Sequence, residues 1–171
     1  MNMGKLVFGT DRLQLHEFSP DDAAEIYRLN NDPEVMRYTG DPPFESVAAA
    51  RLFLERYDQY ARYGFGRWAV VLQSNGQFLG WCGLRYSDEI QGVDLGFRLH
   101  RHSWGQGYAT EAARACVEYG FAQLDLKTIW GRAMLANVAS IRVLEKVGFT
   151  FVKQVEFALH EGVLYKVDKG E

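Results

Sequence analysis

The segment from Val93 to Ala122 constrains the fold most, because its hydrophobic period changes once, at a pair of glycines. Apolar and polar residues alternate from Val93 to Leu99, which is the period of a half-buried strand. After Gly105 and Gly107, apolar residues recur at helical spacing as far as Ala122. A strand, a glycine loop and a helix in this order bring several backbone N–H groups to the positive end of the helix, where a phosphate binds well.

Strand and helix patterns on both sides of this segment predict a sheet. Asn75-Gly76 is typical of a tight hairpin, and Ser19, Ser46 and Asn137 are suited to begin helices. The predicted strands span residues 12–16, 68–72, 78–85, 93–99, 128–132, 149–155 and 163–167. This order predicts an α/β (α+β) fold, with a mixed, mostly antiparallel sheet of about six to seven strands and helices on both faces.

Composition limits the classes of protein to which the chain can belong. With 171 residues, 47% of them hydrophobic, one domain spanning residues 1–171 is expected. The net charge of −3 argues against a dedicated nucleic-acid binder. No apolar run approaches the roughly 18 residues of a membrane span, and residues 1–10 lack the apolar core of a secretory leader. Cys82 and Cys116 form no disulfide framework, so a cytoplasmic protein without membrane or nucleic-acid partners is predicted.

The glycine loop by itself allows several interpretations. A dinucleotide-binding fold requires G-x-G-x-x-G, and the third glycine is missing after Gly105 and Gly107. A Walker loop requires a final Gly-Lys-Ser/Thr, which is absent. A glycine pair at a helix start that binds no ligand is the third interpretation, and the loop alone does not exclude it.

Three motifs together resemble one family. Trp104–Ala112 reads Trp-Gly-Gln-Gly-Tyr-Ala-Thr-Glu-Ala, which resembles the acyl-CoA-binding motif of the GNAT N-acetyltransferase superfamily, usually written Q/R-x-x-G-x-G/A. Asn137–Phe149, with Asn-x-x-Ser, a helix and Gly-Phe, resembles its companion motif. Asn31–Tyr38 is typical of the branch that acetylates the N-terminal alanine or serine of ribosomal proteins. The three cover about residues 12–167 in the order of that branch. His102 departs from the usual Gln or Arg at the first motif position.

The resemblance implies a GNAT-like domain that binds acetyl-CoA as co-substrate. The pyrophosphate is expected on the N–H groups near 104–110, and the pantetheine arm along the strand at Phe97 and Leu99. That strand is expected to splay from the next one, and Gly96 suits such a distortion. Arg101 either meets a phosphate or is a solvated charge. The implied cofactor-binding residues are Phe97, Leu99, His102, Trp104, Gly105, Gln106, Gly107, Tyr108, Ala109, Thr110, Asn137 and Ser140.

Acetyl transfer requires a neutral amine and a protonated or stabilised leaving thiol. Asp94, on the polar side of its strand, is the candidate general base, with an exposed strand acid as the alternative. Glu111 is a second candidate, although its place in the first helical turn suits the helix dipole. Ser140 is the candidate donor to the departing sulfur, or an ordinary helix residue. Tyr165 is its rival. The four histidines lack metal-ligand spacing, so no metal is expected.

These features predict an acetyl-CoA-dependent N-acetyltransferase whose acceptor is a protein or peptide N-terminal α-amine. An α-amine has a pKa of about 7.7–8.0, against about 10.4 for lysine, so it depends least on a base. A small amine of the polyamine or aminoglycoside type is an alternative acceptor, and a non-catalytic acyl-CoA-binding module is an alternative class. Tyr57, Tyr60, Tyr63 and Trp68 either line the acceptor site or belong to the core. A homodimer stays open.

Overall fold

Eight strands form one sheet in the computed structural model, which describes residues 2–170. The spatial order is β1-β2-β3-β4-β5-β6-β8-β7. The strands are β1 (Leu6–Gly9), β2 (Leu13–His16), β3 (Arg67–Leu72), β4 (Phe78–Ser87), β5 (Gly92–Leu99), β6 (Thr128–Met134), β7 (Thr150–Phe157) and β8 (His160–Asp168). The helices are α1 (Ala23–Asn30), α2 (Pro33–Met36), α3 (Val47–Glu55), α4 (Gln59–Tyr63), α5 (Tyr108–Gln123) and α6 (Val138–Lys146).

The central strands β5 and β6 separate soon after they meet. Neighbouring strands elsewhere in the sheet are antiparallel, whereas β5 and β6 are parallel and pair only at Asp94 with Trp130 and Leu95 with Gly131. Beyond Leu95 the two strands diverge. The predicted splayed pair in a mixed, mostly antiparallel sheet is therefore confirmed.

Helices cover both faces of the sheet, as predicted. On one face, α5 and α6 pack on a core that includes Cys82, Leu84 and Cys116. On the other face, α1 and α3 form a smaller cluster that packs against Phe78 and Trp81 of β4. Neighbouring strand residues point to opposite faces, so Trp81 and Cys82 mark the two sides of β4.

The predicted helix starts are confirmed by their capping hydrogen bonds. Ser19 begins a short 3₁₀ turn that leads into α1, and it forms a capping box with Asp22. The Ser46 hydroxyl accepts a hydrogen bond from the Ala49 N–H at the start of α3. Asn137 Oδ1 accepts from the Ser140 N–H at 3.3 Å, which fixes the first turn of α6.

Two parts of the fold differ from the sequence prediction. Strand β1 was not predicted, because its four residues alternate weakly and it pairs only with β2 at the sheet edge. Phe53, Tyr57, Tyr60 and Ala61 recur at helical spacing and predict one helix after Ser46, but the structure has two, α3 and α4. Tyr57 leaves the helix, and its hydroxyl accepts a hydrogen bond from the Arg67 N–H at 2.7 Å. This hydrogen bond to a distant strand interrupts a helix that the apolar spacing alone would continue. Among the described helices, none has both the length and the apolar character needed to cross a membrane.

Candidate functional site

A cavity of about 1500 Å³ opens where β5 and β6 diverge. It extends from the start of α5, past the first turn of α6, to the α1 and α3 side of the sheet. Sites for single drug-sized ligands usually measure about 300–1000 Å³. The cavity is therefore large enough for a long co-substrate together with an acceptor.

The loop before α5 presents unpaired backbone donors to this cavity. Gly105 and Gly107 adopt φ of +74° and +81°, a left-handed conformation that a side chain would strain. The Glu111 N–H donates to the Gly107 carbonyl at 3.0 Å. Within residues 2–170, the N–H groups of residues 105–110 have no protein acceptor. They lie at the positive end of a 16-residue helix, which favours an anion.

Arg12, which the sequence analysis did not single out, fixes the shape of this loop. Its Nη1 donates to the Gln106 carbonyl at 3.0 Å, and its guanidinium lies 4.4 Å from the centre of the Tyr108 ring. Its Nε is 2.7 Å from Glu111 Oε1. Glu111 also accepts from the Thr10 hydroxyl at 2.6 Å. Burial alone would raise the pKa of Glu111, but the bonds from Thr10 and Arg12 lower it. Glu111 therefore supports the loop and is not placed to accept a proton in the cavity.

Backbone groups of β5 face the gap on its far side. The His100 N–H donates to the Leu79 carbonyl of β4 at 2.8 Å, so even-numbered residues bond toward β4. The backbone N–H and C=O groups of successive strand residues point to opposite sides. The N–H and C=O groups of Phe97 and Leu99 therefore point toward the gap. The Trp104 indole donates to the Leu99 carbonyl at 3.0 Å. The remaining groups of Phe97 and the Leu99 N–H are placed to pair with an extended amide chain.

The predicted cofactor-binding residues His102 and Gln106 lie outside the cavity lining, and so does Arg101. The His102 ring stacks on His100 at 5.1 Å, and its carbonyl accepts from Gln106 Nε2 at 3.1 Å. These contacts shape the loop from behind. Arg101 is paired with Asp32, whose carboxylate accepts from Nε and Nη2 at 3.1 Å each. The guanidinium of Arg101 is therefore committed to Asp32 and does not face the phosphate loop.

The first turn of α6 lines the cavity, whereas the rival residue on β8 does not. Asn137 and Ser140 both line it, and the Ser140 hydroxyl has no hydrogen-bond partner among the described residues. Tyr165 lies outside the lining, and its hydroxyl is 3.4 Å from Glu145 Oε2. Burial and the nearby Glu145 carboxylate raise the pKa of Tyr165. The structure therefore brings Ser140, and not Tyr165, to the cavity wall.

Asp94 is buried among arginines, not exposed on a polar strand face. Only 4% of the residue is accessible. Its Oδ1 accepts from Arg67 Nη2 at 2.8 Å, and its Oδ2 accepts from Arg132 Nη2 at 3.1 Å. Arg85 Nη2 lies 3.6 Å from the same Oδ2. Three guanidinium groups therefore converge on one carboxylate at the point where the gap begins.

This arrangement makes Asp94 a weak proton acceptor. Burial alone would raise the pKa of its carboxyl, but the positive charges of Arg67, Arg85 and Arg132 outweigh burial and hold the pKa below its usual range. Accepting a proton would also require breaking a bond to an arginine. The geometry favours a positioning role for Asp94, which holds the arginines in place. It does not favour the predicted role of direct general base.

Arg67 and Arg132 are site residues that the sequence analysis missed. A Cβ at Gly96 would lie 2.6 Å from Arg67 Nη2, so the missing side chain is what admits the guanidinium against β5. The Tyr60 hydroxyl donates to the Arg67 carbonyl, and Tyr57 accepts from its N–H, which fixes the start of β3. An available signal was the presence of single arginines within the otherwise apolar strands β3 and β6.

The predicted aromatic cluster divides between cavity and core. Tyr57 lines the cavity, and Trp81 lies between the guanidiniums of Arg67 and Arg98, whose central carbons are 5.3 and 5.1 Å from its ring centre. Trp68 is fully buried in the core.

Within residues 2–170, no three His, Cys, Asp or Glu side chains are grouped to hold a metal ion.

The arginine cluster yields a prediction about stability. Asp94→Asn leaves three guanidiniums without their shared counter-charge, so the free energy of unfolding at pH 7 should fall by about 3–5 kcal/mol. Urea denaturation measures this change. The folded pKa lies below the unfolded value of about 3.9, so the stabilisation is present above about pH 4 and is lost as the pH falls through the folded pKa.

The matched control is Asp58→Asn, which removes an exposed acid paired with Arg62 on α4. It should change the free energy of unfolding by less than about 1 kcal/mol. If Asp94→Asn is as stable as the unmodified protein at pH 7, the carboxylate does not hold the cluster together.

Comparisons with known proteins agree with this architecture. A family model described as "Acetyltransferase (GNAT) domain" matches residues 12–150. The uncharacterized N-acetyltransferase p20 of Bacillus licheniformis is 30% identical over 82% of this chain and 80% of its own. FsC-acetyl coenzyme A-N(2)-transacetylase of Aspergillus fumigatus is 32% identical over 84% of this chain and 65% of its own. Spermidine N(1)-acetyltransferase of Escherichia coli K12 is 25% identical over 81% and 73%.

Solved structures show the same fold at lower identity. An acetyltransferase from Agrobacterium tumefaciens superposes with a TM-score of 0.83 and 22% identity, over 99% of this chain and 98% of the other. The ribosomal-protein-S5-alanine acetyltransferase of Vibrio fischeri gives 0.80 and 15%, over 96% and 97%. The spermidine N-acetyltransferase of Vibrio cholerae, in complex with CoA and spermine, gives 0.77 and 19%, over 93% and 96%. With a family match over most of its length, the chain belongs to the GNAT acetyltransferase family.

Proposed function

We propose that this GNAT N-acetyltransferase transfers the acetyl group of acetyl-CoA to the α-amine at the N-terminus of a protein or peptide. The observation that carries the proposal is the state of Asp94, whose two oxygens are held by arginines at the mouth of the gap. Asp94 held in this way is a poor general base, which suits an acceptor that is already partly neutral. Deprotonating a lysine amine near neutrality costs roughly 3.4 kcal/mol more than deprotonating an α-amine.

The residues around the cavity fit acetyl-CoA. The donor patch at 105–110 is suited to the pyrophosphate, and the backbone of Phe97 and Leu99 is suited to the two amides of pantetheine. Asn137 and Ser140 stand on the opposite wall. In this proposal the thioester lies in the gap, where a backbone N–H of β5 polarises its carbonyl.

The chemistry then requires little from side chains. The neutral amine attacks the carbonyl carbon from the α1 and α3 side, a C–N bond forms and the C–S bond breaks. The Ser140 hydroxyl donates a hydrogen bond to the departing sulfur, and the proton of the new ammonium passes to water. Asp94 acts through Arg67 and Arg132, whose positions it fixes.

Two other functions are separable from this one. Polyamine transfer is supported by the likeness to spermidine N(1)-acetyltransferase. A polyamine would meet like charges at Arg67, Arg85 and Arg132. The same cavity also has acids that would attract it, namely Glu34, Asp41, Glu89 and Glu156. A module that binds acyl-CoA without catalysis would keep the loop and release no thiol.

Cys82 and Cys116 are buried free thiols 3.7 Å apart, which supports a reducing, cytoplasmic location.

Two substitutions of similar size at Thr110, one charged and one neutral, test whether the loop before α5 binds the pyrophosphate. Thr110 lines the cavity in the first turn of α5, where an acid is otherwise favourable to the helix. Acetyl-CoA at about 100 times its Kd should stabilise the unmodified protein by about 2.7 kcal/mol and raise the Tm by several degrees. Thr110→Asp should lower the affinity at least about tenfold, whereas Thr110→Asn should keep most of it. Calorimetry and thermal denaturation measure both effects. Equal affinity in the two variants would place the pyrophosphate elsewhere.

The acceptor class is tested by thiol release from acetyl-CoA with a matched panel. The panel contains peptides with free N-termini, the same peptides with blocked N-termini and one lysine, and spermidine. We expect kcat/KM to be highest for the free N-termini between about pH 7 and 8, because this amine is partly neutral there. Faster turnover of spermidine would support the polyamine alternative. Tight acetyl-CoA binding without thiol release on any amine would support the non-catalytic module.

A further inference from the structure

Arg85 differs from the other arginines that the sheet contributes to the cavity wall; Arg37, at the end of α2, is a further exposed arginine of the lining. The side chains of Arg67, Arg98 and Arg132 are about nine-tenths buried and donate hydrogen bonds to neighbouring residues. The side chain of Arg85 is 47% exposed and lines the cavity. Its one ionic contact within residues 2–170 is the 3.6 Å approach to Asp94 Oδ2, which is longer than a hydrogen bond. Its donors are therefore available to a ligand.

The charge balance around Arg85 leaves one positive charge over. Arg67, Arg85 and Arg132 carry three, and the acids in contact with them are Asp94 and Glu89. Asp94 is shared among all three guanidiniums, and Glu89, on the exposed turn between β4 and β5, contacts Arg132. An anion that reached Arg85 would meet a cation that these two carboxylates do not neutralise.

Arg85 lies on the side of the gap from which the acceptor amine would enter. Arg85 pairs with Asp94 across β4 and β5, and Asp94 is the first of the two β5 residues that pair with β6. The gap opens beyond Leu95, the next residue of β5 and the last that pairs with β6. The Arg85 side chain therefore stands beside the mouth of the gap, on the wall from which the amine would enter. The donor patch of the phosphate loop is a separate set of residues, at the start of α5.

We propose that Arg85 binds a carboxylate of the acceptor that lies close to the reacting amine. The inference rests on the proposed function, because it assumes an α-amine entering the gap. A carboxylate near an α-amine belongs either to a free α-amino acid or to an acidic side chain in the first residues of a peptide. A planar guanidinium with free donors can bind either carboxylate through two parallel hydrogen bonds.

The test compares acids with their amides in unmodified protein and in two variants. One series uses a free amino acid and its carboxamide, and the other uses peptides with Asp or Asn at the second position. Amidation also changes the pKa of the amine, so the measured quantity is the acid-to-amide ratio of kcat/KM, compared between proteins. That comparison cancels the intrinsic difference between the acceptors. Arg62→Gln, which removes an exposed arginine of α4 outside the cavity lining, is the control for loss of charge.

We expect Arg85→Gln to lower the acid-to-amide ratio roughly 10- to 100-fold in one series, the size of a lost charge-assisted hydrogen bond. A response in the peptide series assigns the carboxylate to an acidic side chain near the N-terminus. A response confined to the amino-acid series keeps the role of Arg85 and replaces the peptide acceptor of the proposed function with a free amino acid. Arg62→Gln should leave both ratios unchanged. An Arg85→Gln ratio unchanged in both series, with turnover intact, overturns this inference and leaves the proposed function standing. Absence of thiol release on every α-amine tested overturns both.

Discussion

The separation of β5 from β6 after only two paired residues is the constraint on which the site depends. A buried strand that loses its neighbour exposes backbone donors and acceptors that must find other partners. Phe97 and Leu99 are the residues left facing the gap, and the Trp104 indole satisfies one of their carbonyls. The same strand ends in the glycine loop that begins α5. One irregularity in pairing therefore creates an open backbone edge and is followed, a few residues on, by a helix start with free backbone donors.

The second organising interaction is electrostatic. Burying one carboxylate among three guanidiniums costs desolvation energy, and such clusters are seldom kept for stability alone. Here Asp94 fixes two buried arginines at the gap, Gly96 makes room for one of them, and the tyrosine hydroxyls of Tyr57 and Tyr60 anchor the backbone from which Arg67 projects. Packing across four strands therefore fixes three guanidiniums around Asp94, in a cavity that Glu34, Asp41, Glu89 and Glu156 also line.

Local patterns predicted most of the fold, including the strand, glycine loop and helix around α5, because alternation, capping residues and paired glycines are short-range signals. The strand at 93–99, the helix starts at Ser46 and Asn137, and the α5 loop are examples. The misplaced features depend on contacts between distant segments. The break between α3 and α4 follows from a hydrogen bond to β3. The burial of Asp94 follows from arginines on three other strands, and the absence of Tyr165 from the cavity lining follows from its packing in the core, with its hydroxyl beside Glu145 of α6. None of these three features is visible in the local spacing of residues.

The central claim is that acetyl-CoA satisfies the backbone groups left open by the splayed strands and by the start of α5. Amide hydrogen exchange, measured by NMR with and without acetyl-CoA, tests it residue by residue. The account predicts that added protection is concentrated at the Phe97 and Leu99 N–H groups and at residues 105–110. The edge strands β1 and β7, which pair at the far ends of the sheet, should change little. Saturating acetyl-CoA that protects neither the gap residues nor the loop would contradict the account.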